Sequence, residues 1–196
     1  IDGDGNSRQA RFAVRNTLSM LRDTRSAERL RAGSGTDGYR FDRPGGWRRV
    51  LWATGDELKP GKALGIRSTT VAVTGNQGGT THLPVSSVTI GTSPQWFEPD
   101  MVEIWRQPAR RKGFARVKAR CPVASPTRYC QGWIKLWGGK GNRTLVAGGK
   151  YRIARGTTRV TGIRRKRTRA KARVIFATPF SCPGKLGNCR SWQNLP

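Results

Sequence analysis

The sequence predicts an all-β protein: two small antiparallel β-sandwich modules with one short N-terminal helix. Three observations point there. The 196 residues include 25 Gly and 11 Pro, and helix interiors tolerate neither residue well. Short apolar or alternating stretches recur between Gly-rich turns, which is the pattern of half-buried strands. Seven Trp, six Phe and three Tyr supply large core side chains to a chain lean in Leu and Ile, so modules of modest size can still bury a core.

Residues 1–7, IDGDGNS, open the chain as a polar lead-in. Asp2, Asp4 and Asn6 have the alternating oxygens of a calcium loop, but Ser7 stands where an EF-hand needs Gly and Ala13 where it needs a bidentate Glu. A linking terminus is the better reading. Ala10, Ala13, Val14, Leu18 and Leu21 recur at helical spacing, which predicts a helix over 9–22 with one buried stripe. The lead-in and helix thus occupy residues 1–26.

From residue 27 the period is that of strands. The stretches 28–31, 38–41, 47–53, 66–73, 84–90 and 95–98 are separated by turns such as GSGTDG, RPGG and GNQGG. Six short strands predict an antiparallel sandwich over 27–103. The FEP of 97–99 and the charged passage after it mark its edge, and Glu98, Asp100 and Glu103 there read as a solvated linker.

A second strand series fills 104–178. In FARVKARC, residues 114–121, Ala115, Val117, Ala119 and Cys121 alternate with Arg116, Lys118 and Arg120, putting small apolar groups on a core face and cations on the other. Ile134 and Leu136 alternate with Trp133, Lys135 and Trp137. Further strands are expected at 143–147, 150–154, 158–163 and 171–177, and residues 179–196 form a cysteine-containing tail.

The net charge of +27 is carried unevenly: residues 1–103 hold 14 Lys and Arg with all 11 Asp and Glu, whereas 104–196 hold 24 Lys and Arg and no carboxylate side chain. The charge marks a module boundary near residue 104. A functional use of it requires a polyanionic partner, such as nucleic acid, acidic polysaccharide, an envelope polymer or an anionic lipid surface. The candidate contact is the run RRKRTRAKAR at 164–173, with Arg164, Arg165, Lys166, Arg167 and Arg169. The plainer reading is an Arg-biased chain, with 28 Arg to 10 Lys, that decorates its solvated faces. No apolar run approaches the roughly 18 residues of a membrane-spanning helix. The chain begins at Ile1 and not Met, as expected of a processed piece, so the lack of a signal peptide says nothing about secretion.

Cys121, Cys130, Cys182 and Cys189 fall as two local pairs in the basic half. Four cysteines permit three pairings, among which sequence cannot choose; local pairing is the simplest. Zinc competes as an explanation, although the spacings are wider than the usual C-x₂₋₄-C knuckle and His82 is remote. Disulfides imply an oxidising compartment, extracellular or associated with the cell envelope.

No catalytic, cofactor-binding or metal-binding set emerges. The basic half has no Asp, Glu or His, so it cannot assemble a carboxylate pair or a Ser–His–Asp arrangement alone. GSGTDG lacks the Lys of a phosphate loop and precedes no helical pattern. Aromatics offer another route: Trp133 and Trp137 share one side of a regular strand with Lys135 between them, a face that could stack on sugars or bases. Its competitor is a strand whose tryptophans cover core. Trp47, Trp52, Trp96 and Trp105 read as core or interface anchors. Asn142, Arg143 and Thr144 satisfy the N-glycosylation pattern in a Gly-rich turn.

Two passages carry a resemblance. NTLSMLRDTRSAERL, DGYRFDRPGGWRRVLWATG, TTVAVTGNQGG and PVSSVTIGTSPQWFEP, within about 10–99, resemble the end of secreted bacterial glycoside-hydrolase chains. The matching elements are Tyr39 and Phe41, the VLW of 50–52, the turn at Gly75 and Asn76, and Pro94 with Trp96; Thr74 replaces an aspartate often found before the turn. The resemblance implies a β-sandwich that packs on a catalytic (β/α)₈ barrel. No catalytic carboxylate transfers to this chain, because the barrel lies upstream of the region that matches. FARVKARCPVASPTRYCQGWIKLW, YRIARGTTRVTGIRRK and ARVIFAT, within about 112–178, resemble immunoglobulin-like modules appended to secreted actinobacterial proteins, through Cys121, Pro122, Cys130 and Gly132. That likeness implies a Cys121–Cys130 pair and no ligand.

The resulting expectation is a non-catalytic accessory region of a secreted glycoside hydrolase-like protein, with no cofactor. Its partners would be the catalytic barrel of the parent chain and polysaccharide or an anionic cell-envelope polymer. The alternative is a polyanion- or nucleic-acid-binding basic β module.

Overall fold

The computed structural model describes residues 6–31, 35–59, 64–76, 78–108, 113–166, 170–182 and 189–195. The Asp2 and Asp4 oxygens, Arg167 and Arg169 lie outside the described residues. Among the described residues the fold is all-β, with three antiparallel sheets and one N-terminal α-helix. Two compact units share the chain: Ile1–Ile66 with Val71–Glu98, and Arg67–Thr70 with Pro99–Pro196.

In the first unit, α1 (Asn6–Leu21) precedes β1 (Ser26–Arg31), β2 (Thr36–Arg43), β3 (Gly46–Ala53), β4 (Thr70–Thr74), β5 (Thr80–Pro84) and β6 (Gln95–Glu98). These six strands form one sheet in the order β1-β2-β3-β6-β4-β5. Alternation divides its faces. Leu51, Val71 and Phe97 point to one side and are buried with Leu64, Val88 and Ile90. A short second layer covers them, where Leu58 and Ile90 exchange backbone hydrogen bonds of 3.0 and 2.7 Å. On the other face Tyr39 aligns with Val50, and Val50 with Trp96, and the end of α1 packs there through Met20 and Leu21.

The helix corrects the expected stripe. Val14 and Leu18 are 59% and 65% exposed, and Phe12 is exposed as well. Asn16 and Met20 set the docking instead: the Asn16 amide donates to the Gly75 carbonyl at 3.0 Å, and the buried Arg48 guanidinium donates to the Met20 carbonyl. Satisfying an end-of-helix carbonyl fixes the helix on the side its polar contacts choose. Residues 84–90 also depart from a strand. Pro84, with no N–H to continue a ladder, is followed by a 3₁₀ turn over Val85–Ser87, and the Ser87 hydroxyl donates to the Pro84 carbonyl at 2.9 Å.

The second unit contains β7 (Glu103–Gln107), β8 (Phe114–Arg120), β9 (Tyr129–Gly138), β10 (Thr144–Ala154), β11 (Thr158–Arg164), β12 (Ala172–Pro179) and β13 (Ser191–Asn194). The first, second and fifth of these seven strands make one sheet, β11-β8-β7; the others make β10-β9-β12-β13. Val117, Ala119 and Ile163 of the first sheet meet Ile134, Leu136, Ile153, Ile175 and Ala177 of the second in a single core. The stretches expected as two strands at 143–147 and 150–154 are one strand, β10, with a register shift between Leu145 and Ala147. Residues 67–69 run beside β13, with Trp192 N–H donating to the Arg67 carbonyl and Thr69 N–H to the Arg190 carbonyl, both at 2.9 Å. This covers a strand edge that would otherwise stay unpaired.

The acidic cluster at the edge is not solvated. Glu98, 8% exposed, accepts hydrogen bonds from Arg43 and, at 3.0 Å, from Arg48. Burial is the largest influence on its carboxyl and holds it above the ordinary range, against the pull of Arg43. Asp100 is fully buried and accepts the Thr70 hydroxyl at 2.9 Å. Glu103 lies on β7 and accepts Arg120 at 2.8 Å. Basic strands recruit these carboxylates because a buried guanidinium without a counter-charge is strongly unfavourable.

Candidate ligand-binding face

The cysteines form two local disulfides, Cys121–Cys130 and Cys182–Cys189. Cys121 follows β8 and Cys130 lies on β9, so the first bond joins the two sheets through side chains that are both in the core. Closing so short a loop stabilises by about 2–3 kcal/mol on the chain-entropy estimate. Among the described residues no group of His, Cys, Asp and Glu could hold a metal ion.

Strand β9 alternates strictly. Cys130, Gly132, Ile134, Leu136 and Gly138 are buried, whereas Tyr129, Gln131, Trp133, Lys135 and Trp137 occupy the outward positions. Trp133 and Trp137 therefore share one face with Lys135 between them. At about 3.4 Å per residue, Tyr129, Trp133 and Trp137 form a row of three rings spaced about 14 Å apart. Trp133 is the most accessible at 41% exposure, and Trp137 is half-buried, with Leu145 and the buried Val174 as its cross-strand neighbours.

Flanking strands add cations to this row. Lys150 lies opposite Trp133, its ammonium 5.3 Å from the ring centroid. The Arg152 guanidinium stands 4.4 Å from the Tyr129 centroid, and Arg128 approaches the same ring at 5.7 Å. On the opposite flank Phe176 pairs with Lys135 and Trp192 with Phe176, and Arg190 sits 5.5 Å from the Phe176 ring. Each contact lies within the roughly 6 Å reach of a cation–π interaction. Lys150, Arg152, Phe176 and Trp192 escaped the sequence reading because they join the tryptophans only through strand register. The alternation of charged and apolar residues at 150–154 was the available signal.

Arg164, which opens the basic run, lies on a different surface. Arg164 ends β11 opposite Phe114 and, with Arg165 and Lys166, is exposed. Because Ile163 points into the core, Arg164 belongs to the outer face of the three-stranded sheet, across the sandwich from Trp133. Lys118 lies there between Trp105 and Val160. Arg120 is committed to Glu103 and stands 5.2 Å from the Trp105 ring. Of the other candidates, His82 is half-buried on β5, and Asn142 is exposed in the 3₁₀ turn Lys140–Asn142.

The second unit carries 25 Lys and Arg against two carboxylates, Asp100 and Glu103, so both outer faces sit in a positive field. Among the described residues no helix is long and apolar enough to cross a membrane. No protein-family model matches the chain, and no curated protein and no solved structure is significantly similar to it.

Proposed function

We propose that this chain is a non-catalytic accessory region of a secreted glycoside hydrolase-like protein, whose second unit holds it on an anionic glycan or cell-envelope polymer. The observation that carries the reading is the row Tyr129, Trp133 and Trp137 with Lys150, Arg152 and Lys135 beside it. Aromatic faces stack on sugar rings, and the adjacent cations attract acidic substituents along the polymer. A strand-long row suits an extended polymer better than a compact ligand. The carboxylates nearest the module edge, Glu98, Asp100 and Glu103, are all engaged in buried or part-buried structural contacts, which supports a binding role over a catalytic one. The two disulfides support an extracellular or envelope location. The first, second and fifth strands in one sheet and the rest in the other favour the immunoglobulin-like reading of this module. The parent barrel, as partner of the first unit, rests on the sequence resemblance.

Co-sedimentation of the full chain with an insoluble acidic cell-wall polysaccharide tests the proposal. Retention is expected, with Trp133→Ala weakening it about tenfold, in line with roughly 1–3 kcal/mol per stacked ring measured for bases on aromatic side chains. Equal retention of Trp133→Ala and the parent chain would remove the face from the account.

A second reading, nucleic-acid binding, draws on Arg116, Lys118 and Arg164 on the outer face of the three-stranded sheet, where Trp105 flanks Lys118, and on Arg165 and Lys166 just beyond β11. It predicts retention on single-stranded DNA that is lost when Arg164, Arg165 and Lys166 are changed together to Ala and is indifferent to Trp133.

A further inference from the structure

The aromatic row on β9 does not end at Tyr129. A cleft of about 210 Å³ opens there, lined by Arg128, Tyr129 and Gln131 on its rim and by Asp100, Ser125 and Tyr151 toward its floor. The floor is buried: Asp100 is 0%, Ser125 4% and Tyr151 5% exposed. Met101, Val102 and Pro179 supply apolar wall, and the Cys121–Cys130 bond keeps the loop carrying Ser125 against the sandwich.

Tyr151 is the informative residue. It points inward from β10 opposite Gly132, and among the described residues its hydroxyl has no hydrogen-bond partner. Although the ring is buried, the hydroxyl is not a fully enclosed unpaired atom, so it opens on the cleft, where a guest can accept from it. Burial alone holds its phenol above the ordinary tyrosine range, so it stays a protonated donor. Ser125 offers a second hydroxyl, 3.3 Å from that of Thr127. Among the described lining residues the cation, Arg128, stands on the rim, and the Asp100 carboxylate, which already accepts from Thr70, lies deeper, so an anionic group is a poor guest at depth. Apolar wall with hydroxyls and a carboxylate suits a neutral ring that bears hydroxyl groups. The volume lies below the roughly 300–1,000 Å³ of drug-sized sites, which limits the guest to about one ring.

We infer that this cleft receives the terminal, uncharged sugar of a glycan chain whose remaining units run along Tyr129, Trp133 and Trp137. The ligand class rests on the glycan reading proposed above; the cleft adds recognition of a chain end. Tyr129 lines the cleft and begins the row, so one strand carries both parts.

Titration of the full chain with the methyl glycosides of glucose, galactose and N-acetylglucosamine, followed by backbone amide shifts, tests this. At least one glycoside is expected to shift the amides of Ser125, Thr127 and Tyr151 and to bind roughly 3–10-fold more weakly to Tyr151→Phe, which keeps the ring and the packing but lacks the donor. Ser125→Ala serves as a second variant, expected to weaken the same glycoside. Trp133→Ala should keep the glycoside-induced shifts at Ser125, Thr127 and Tyr151 while weakening polymer retention about tenfold, so the two proposals fail separately. Shifts at none of these amides with any of the three glycosides, or equal binding by Tyr151→Phe and Ser125→Ala, would overturn the inference.

Discussion

Tyr151 illustrates how one side chain links stability to the proposed ligand. Its phenol is pushed above its ordinary value by burial, so folding favours the protonated form. Above about pH 10, the ordinary tyrosine value, the unfolded chain releases this proton while the folded chain keeps it. Stability must therefore fall as pH rises from the unfolded value toward the folded one, by up to about 1.4 kcal/mol per pH unit from this group. Urea unfolding at about pH 9 and about pH 11 should show a smaller alkaline loss in Tyr151→Phe than in the parent chain; equal losses would mean that Tyr151 ionises alike in both states. Residue-level legibility was mixed. Trp133, Trp137 and Lys135 could be placed on one face because strand period alone decides it. The partners of Glu98 could not, since Arg43 and Arg48 are 55 and 50 residues away and reach it only through the sheet. Three carboxylates close in sequence looked solvated, yet each was taken up by its own cation or hydroxyl.

Among the elements, α1 carries the clearest expectation. Its apolar residues Val14 and Leu18 face outward, whereas Met20 packs with Val50 and Trp96. Met20→Ala should cost about 2–3 kcal/mol of unfolding free energy in the lower part of the range for buried truncations, and Leu18→Ala less than about 0.5 kcal/mol. Denaturant midpoints of the two variants check this, and a larger loss for Leu18→Ala would contradict the docking. Helical spacing located the element correctly but misjudged which side is buried, because a polar residue, Asn16, and a backbone carbonyl supply the anchoring contacts. Strands with one core face were the most legible: β8 and β9 follow the alternation of 114–120 and 133–137. β7 was hidden by Glu103 and its charged neighbours, and β13 is only four residues long. The Gly148 and Gly149 pair inside β10 imitated a turn. The would-be Cβ of Gly149 meets Ile163 at 3.4 Å, an ordinary van der Waals contact, so packing does not require that glycine.

For the whole molecule, composition read the all-β class and the uneven charge correctly, because both are sums over many residues. The pairing of 67–69 with β13 escaped it, being set by contacts 121 residues apart such as Arg190 N–H to the Thr69 hydroxyl. Adhesion to polyanions through charge alone would decay with salt as counterions are released. Stacking on Trp133 does not depend on counterions in this way. The central claim, that the β9 row is a specific glycan-binding face, therefore rests on separating the two contributions. The most direct measurement is the affinity of the full chain and of Trp133→Ala for one soluble acidic polysaccharide over a series of salt concentrations. The account predicts parallel salt dependences, with Trp133→Ala weaker by about tenfold throughout. Coincident lines for the two proteins, falling together to no binding at high salt, would contradict it and leave only non-specific charge.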